Sequence, residues 1–274
     1  MRLPSCLLYI YMNIIISALA FLFGLAVGSF LNVVICRLET KETFIKSRSR
    51  CPYCKTILKW YELIPVFSFV FQKAKCLHCK KNISLQYPLV ELSTGIIFLL
   101  FFNQFLSSNL ISLFYYLTIS CFLIVIFVFD LKHYLILNKV LYPAIIISFI
   151  FIVGNNFINQ LNLSLPSPRS GLVALLVASG FFLFLVLISK GQWMGWGDVK
   201  FAILMGLVLG WPDILLALFL SFLSGAIIGM GLILFGKKGM KSQIPFGPFL
   251  AGSTLGLMLV VPYLPDWYQS LFCF

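Results

Sequence analysis

Long apolar runs separated by short polar stretches dominate the chain. Eight runs have helical length: roughly 13–36, 88–106, 110–130, 134–154, 171–189, 199–211, 214–235 and 246–264. A helix needs about 20 apolar residues to span the hydrocarbon of a bilayer, so each run reads as a membrane helix. The pattern predicts an all-α polytopic membrane protein with about eight transmembrane helices. Its organisation is a first transmembrane helix (1–36), a polar loop module (37–87) and a seven-helix membrane domain (88–274). An even number of spans puts both termini on one side. No internal repeat or low-complexity tract stands out.

Composition agrees with the pattern. The 274 residues are 61% hydrophobic, 16% aromatic and 10% charged, with mean hydropathy +1.03. Soluble domains are about a quarter charged, so this chain cannot cover a water-facing surface. The composition excludes a secreted disulfide scaffold, a disordered tail and a soluble nucleic-acid binder. The first run follows Arg2 as a signal peptide would, but it is too long, lacks a small-residue cleavage signature and ends at Cys36-Arg37. It reads as a retained helix. Met12 can serve as the initiator, since residues 1–11 add little.

The net charge of +12 is distributed unevenly. Segments 37–87, 131–139, 190–200 and 236–245 hold eighteen of the 20 Lys and Arg, and the opposite set of loops holds Arg2 and Arg169. Positive residues stay cytoplasmic. The expected topology therefore has both termini outside and loop 37–87 in the cytoplasm. The basic excess becomes a topology signal with anionic lipid as its contact, not a nucleic-acid site.

Within that loop, Cys51-Pro-Tyr-Cys54 and Cys76-Leu-His-Cys79 form two C-x2-C pairs with 21 residues between them. Each pair offers two thiolates from one tight turn, and two such turns close a tetrahedral Zn2+ shell. Disulfides fit a reducing compartment poorly. A closed four-sulfur shell leaves no position for substrate, so the zinc is expected to be structural and His78 to face solvent. The apolar stretch Trp60 to Phe71 between the knuckles reads either as an interfacial helix at the headgroups or as the small core of the zinc module. Cys6, Cys36, Cys121 and Cys273 read as small buried hydrophobes.

Only eight carboxylates occur, at Glu39, Glu42, Glu62, Glu91, Asp130, Asp198, Asp213 and Asp266. Asp130 ends the third run, and Asp198 opens the sixth within Gly195-Trp196-Gly197-Asp198. By the charge count both lie at the cytoplasmic membrane boundary, where ionisable groups are functional candidates. The sixth run has 13 residues, about 20 Å of helix against about 30 Å of hydrocarbon. Asp198 is then recessed below the surface unless the helix extends toward Gly191. Two adjoining carboxylates share one proton: the ionised member activates water while the protonated one polarises a carbonyl. The plainer reading of Asp198 is a helix cap after glycine. Asp213 is expected to cap the seventh helix. Glu91, at the start of the second, reads as dipole-favoured, and Lys132 and His133 as interfacial side chains that snorkel.

Six motifs in order resemble the bifunctional type IV prepilin leader peptidase / N-methyltransferase family of GxGD-type intramembrane aspartic peptidases. They are Gly28-Ser29-Phe30-Leu31-Asn32-Val33, the paired knuckles enclosing Trp60 to Pro65, Tyr87-Pro88-Leu89-Val90-Glu91-Leu92, Asp130-Leu131, Gly195 to Lys200, and Ile244-Pro245-Phe246-Gly247-Pro248-Phe249. The resemblance implies an enzyme of the bacterial inner membrane that removes the short basic leader of type IV prepilins or pseudopilins on the cytoplasmic side. Cleavage falls after a glycine, next to the pilin's hydrophobic helix, and Asp130 and Asp198 match the two catalytic aspartates. It also implies methylation of the new N-terminus with S-adenosylmethionine, whose binding residues the sequence does not locate. Two positions depart from the family. Ala74 stands where glycine is common two residues before the third cysteine, which a positive φ or a close approach would resist. Leu137-Asn138 replaces Pro-Asn or Pro-Asp, for which a changed turn with Asp130 in place is expected. The alternatives of another class are a proton-coupled transporter and a zinc-bearing assembly scaffold.

Overall fold

The computed structural model describes residues 5–40, 49–105, 109–157, 166–235 and 244–263. Arg2, Glu42, Asp266 and Cys273 lie outside them, as does the side chain of Cys6 and most of the basic segment 236–245. Among the described residues there are nine α-helices and no strand. These are α1 (Ser5–Thr40), α2 (Phe67–Phe71), α3 (Gln86–Phe105), α4 (Leu110–His133), α5 (Asn138–Phe157), α6 (Pro168–Ser189), α7 (Trp196–Leu209), α8 (Asp213–Leu234) and α9 (Gly247–Val260).

A helix stands at each of the eight expected places, α2 being an addition within the loop. Six contain apolar stretches long enough to cross a membrane: α1, α3, α4, α5, α6 and α8. The other two, α7 and α9, have 14 residues each, about 21 Å of helix. The helix ends differ from the apolar runs where the backbone turns. Tyr134 adopts φ 56° and stops α4, so α5 starts at Asn138 and not at 134. Gly210 (φ 74°) ends α7 at Leu209.

The chain divides into two compact units, Met1–Ser108 and Asn109–Phe274. In the first, α1 packs along α3. Ala20, Gly24 and Gly28 recur every fourth residue on α1 and let the backbones approach closely. A Cβ on Gly24 would stand 2.8 Å from the Gly95 Cα, and one on Gly28 would stand 2.7 Å from the Glu91 Cα. The Gly28-to-Asn32 and Tyr87-to-Glu91 motifs are thus packing partners. Asn32, one turn beyond Gly28, donates from Nδ2 to the Tyr87 carbonyl at 3.0 Å.

In the second unit α7 is the central helix, packed against α5, α6, α8 and α9. Phe201, Ala202, Leu204 and Met205 are wholly buried. A helix surrounded by protein does not have to match the bilayer thickness, which explains how so short an apolar helix is stable. Its closest neighbour is α6, whose Gly171, Ala174 and Ala178 form a small-residue face; Gly206 meets the backbone of Ala174 and Leu175 there. By contrast, Leu176, Phe184 and Leu187 on α6 and Phe219 and Ile227 on α8 point outward, as lipid-facing side chains do.

Candidate active site and metal centre

Asp130 stands in the last turn of α4 and is 3% exposed. Tyr134 closes that turn, its N–H donating to the Asp130 carbonyl at 2.9 Å. The carboxyl faces the start of α9, where the Gly247 N–H donates to it. A Cβ at position 247 would stand only 2.5 Å from Asp130 Oδ2, so only glycine allows this approach. The motif around Gly247 thereby gains a local purpose that its sequence did not disclose.

Asp198 is the third residue of α7, which starts directly after Gly195 and does not extend toward Gly191. Its Oδ2 accepts from the Gly195 N–H at 3.2 Å, reaching back to an orphan donor as residues in a first helical turn do. Two contacts fix this end of α7 against the turn that follows α4. Gly197 lies over Ile136, where a Cβ would be 3.2 Å away, and Lys200 Nζ donates to Asn138 Oδ1 at 3.1 Å. The departure at Leu137-Asn138 is accommodated here, with Leu137 supplying the carbonyl that accepts from Val140 and Leu141. The result brings Asp198 within Coulombic range of Asp130. Two carboxyls from separate helices thus converge, one buried and one half-buried, with glycine main chain beside each.

The two knuckles are built alike. Cys51 N–H bonds the Thr56 carbonyl and Lys55 N–H bonds the Cys51 carbonyl; Cys76 with Lys81 and Lys80 with Cys76 repeat this pair. Isolated bridges Arg50–Ile57 and Lys75–Asn82 close both turns, and Lys55 and Lys80 take φ 56° and 58° at equivalent points. The four Sγ atoms lie within 4.8 Å of one another, with Cys51 and Cys79 at 3.9 Å. Zn–S bonds of about 2.3 Å arranged tetrahedrally require sulfurs about 3.8 Å apart, so the cluster fits such an ion. Burial pushes the Cys51 thiol up to about 11. Hydrogen bonds from the side chain and backbone of Thr56 draw Cys54 down to about 6, and the backbone groups of Cys79 and His78 lower Cys76.

The segment between the knuckles is not one helix. A 3-10 turn (Trp60–Leu63) and α2 are separated by a tight turn in which Phe67 N–H reaches the Pro65 carbonyl at 2.6 Å. Val66 at its centre has φ 61° and ψ −49°, a strained conformation for a β-branched residue. Its N–H donates to Glu91 Oε2 at 2.7 Å. Glu91 is therefore a buried tie between α3 and the loop, not a dipole-favoured residue at a helix start. Trp60 and Phe71 are 79% and 82% exposed, so they are not the core of a zinc module. Glu62 is the buried member instead: its Oε2 accepts from the Lys59 N–H at 2.7 Å, and His78 Nε2 lies 3.5 Å from its Oε1. His78 is exposed and stands outside the four-sulfur cluster.

Ala74 does occupy a left-handed position, with φ 58°, directly after Lys73 at φ 52°. Asp213 is the first residue of α8 behind Pro212, not its cap. Cys36 is more than a small hydrophobe, since its Sγ lies 3.3 Å from the Tyr87 hydroxyl. His133 packs its ring on Phe129 at 4.5 Å and is exposed at the end of α4, as is Lys132.

Fold and site together define a polytopic helical membrane protein with a carboxylate pair in one unit and, in the other, a four-cysteine cluster that could hold a metal ion. Residues 22–105 match the family model for the bacterial peptidase A24 N-terminal domain, and residues 117–230 match that of the type IV leader peptidase family. The prepilin leader peptidase/N-methyltransferase of Bacillus subtilis (strain 168) is 34% identical over 240 residues, covering 87% of this chain and 92% of the relative. That of Legionella pneumophila is 30% identical over 270 residues, covering 90% and 92%. That of Myxococcus xanthus (strain DK1622) is 30% identical over 243 residues, covering 85% and 68%. No solved structure matches. The chain belongs to the type IV leader peptidase family.

Proposed function

We propose that this protein is a prepilin leader peptidase and N-methyltransferase of the bacterial inner membrane, with Asp130 and Asp198 as its catalytic pair. The observation that carries the reading is that these two carboxyls, from α4 and α7, lie within Coulombic range of each other, Asp130 against the Gly247 main chain and Asp198 against that of Gly195. Close like charges do not both ionise, so the pair holds one proton between them. The carboxylate takes a proton from water, which attacks the scissile carbonyl. The protonated partner hydrogen-bonds the carbonyl oxygen as charge develops there, and the carboxyl that took the water proton then gives it to the leaving amine as the C–N bond breaks, which restores the singly protonated pair. The Gly247 N–H steers the Asp130 carboxyl and keeps it from turning away.

The four cysteines hold a structural Zn2+ that ties the two knuckles of loop 37–87 into one body. S-adenosylmethionine supplies an electrophilic methyl group for the amine freed by cleavage. The charge distribution supports an orientation with both termini outside and loop 37–87 in the cytoplasm. There the exposed Trp60, Phe67 and Phe71 meet the headgroup region and the lysines meet anionic lipid.

The test is to incubate the purified protein with a full-length prepilin, with and without S-adenosylmethionine, and weigh the pilin intact. Loss of the leader in both, and one added methyl only with the donor, is expected. An uncleaved pilin from a matched system refutes the reading.

A further inference from the structure

The unit Asn109–Phe274 contains an apolar groove of about 600 Å³ between α4, α8 and α9. We propose that this groove seats a transmembrane helix of the substrate, beginning at the Asp130 carboxyl; the proposal rests on the peptidase reading above. One end of the groove lies next to the aspartate site along the chain: Leu131, which follows Asp130, and Pro248, which follows Gly247, both line it. Its wall on α8 is the row Leu220, Ser224, Ile228 and Leu232, one residue per turn. That row runs about 18 Å, long enough to cover about twelve residues of a facing helix. Ser224 donates to carbonyls of its own helix and Ser253 bonds the Leu250 carbonyl and the Ser221 hydroxyl, so these two hydroxyls are engaged within the protein and the wall is mainly apolar.

A helix is the occupant that these features fit. At membrane depth a peptide can satisfy its own main chain only as a helix, and helices associate there through small residues every fourth position. Two other stripes of this kind among the described residues are filled. Ala20, Gly24 and Gly28 receive α3, and Gly171, Ala174 and Ala178 receive α7. Gly252 and Gly256 line the groove, and among the described residues only the Phe127 ring of α4 comes near them. A Cβ on Gly252 would meet only Phe127, at 3.9 Å, and one on Gly256 would meet nothing within 4 Å. A substrate helix laid there brings the peptide bond at its end to the carboxyl pair.

Two experiments on the full-length protein in membranes test this. Gly256→Leu puts a side chain into the groove from a position whose Cβ would meet nothing within 4 Å, so the melting temperature should hold while kcat/KM for a full-length prepilin falls at least tenfold, mostly through KM. In an Asp198→Asn background, which retains uncleaved substrate, a benzoylphenylalanine at Ile228 should cross-link the prepilin's helix at positions three or four residues apart. The same probe at outward-facing Leu176 should not. A Gly256→Leu enzyme within twofold of the parent, or cross-links from Ile228 to lipid or to this chain alone, overturns the proposal. If the parent cleaves no prepilin at all, the peptidase reading fails first and the groove proposal with it.

Discussion

Replacing Gly247 by alanine isolates the contact that aims Asp130. The added Cβ would lie 2.5 Å from Asp130 Oδ2 and 3.0 Å from its Cγ. Ordinary closest approach of carbon and oxygen is about 3.3 Å, so one group has to move by about 0.8 Å. Gly247 is buried in the first turn of α9, whereas the carboxyl is the free end of a rotatable side chain. The carboxyl moves, and the fold survives. Misplacing a reacting group by about 1 Å costs about 10²-fold in rate, equivalent to about 2.7 kcal/mol of transition-state stabilisation. Gly247→Ala should therefore lower kcat about 100-fold with little change in KM and a melting temperature within a few degrees of the parent. The assay is single-turnover cleavage of a prepilin followed by intact mass, with thermal unfolding in the same detergent. Gly180→Ala is the control, since its Cβ would meet nothing within 4 Å. A Gly247→Ala enzyme within threefold of the parent would refute the aiming role, and loss of the fold would show that the helix moves instead.

Two further outcomes follow from the loop module. Cys51 is protonated at neutral pH in the metal-free protein because burial holds its thiol at about 11, whereas Cys54, at about 6, is already a thiolate. Zinc must expel at least the Cys51 proton, so apparent affinity should rise at least tenfold per pH unit between about 6 and 8, read by competition with a chromophoric chelator; a flat profile contradicts the four-thiolate site. Ala74→Gly removes a Cβ from a left-handed residue, which costs roughly 1 kcal/mol, and should make the loop slower to lose zinc to a chelator. An unchanged or faster loss would show that φ at 74 carries no strain.

Much of this was legible in the sequence because the informative residue types are scarce. Eight carboxylates in 274 residues leave few ways to build an acidic pair, and two at helix ends of similar depth stand out. The cysteine pairs were equally plain, since two tight turns of fixed spacing fold locally. The short α7 was readable from its 13-residue run, and burial on all sides explains why it is stable. Tertiary contacts stayed hidden. Nothing in the periodicity links Gly247 to a carboxyl on α4, because that approach depends on how two distant helices cross. The Glu91 tie to Val66 was invisible for a similar reason: a β-branched residue at positive φ opposes local propensity and persists only where surrounding structure holds it. The break at Val66 also divides the Trp60-to-Phe71 stretch, which its apolar composition alone presented as continuous.

The central claim is that Asp130 and Asp198 act as one pair, and substituting each separately tests it most directly. Asp130→Asn and Asp198→Asn preserve shape and remove the ionisable group, so prepilin co-expressed with either variant should keep its full mass, leader included. The parent protein should yield the shortened pilin. Cleavage that persists with both variants would contradict the aspartic mechanism, and cleavage that persists with one would reduce the pair to a single essential carboxyl.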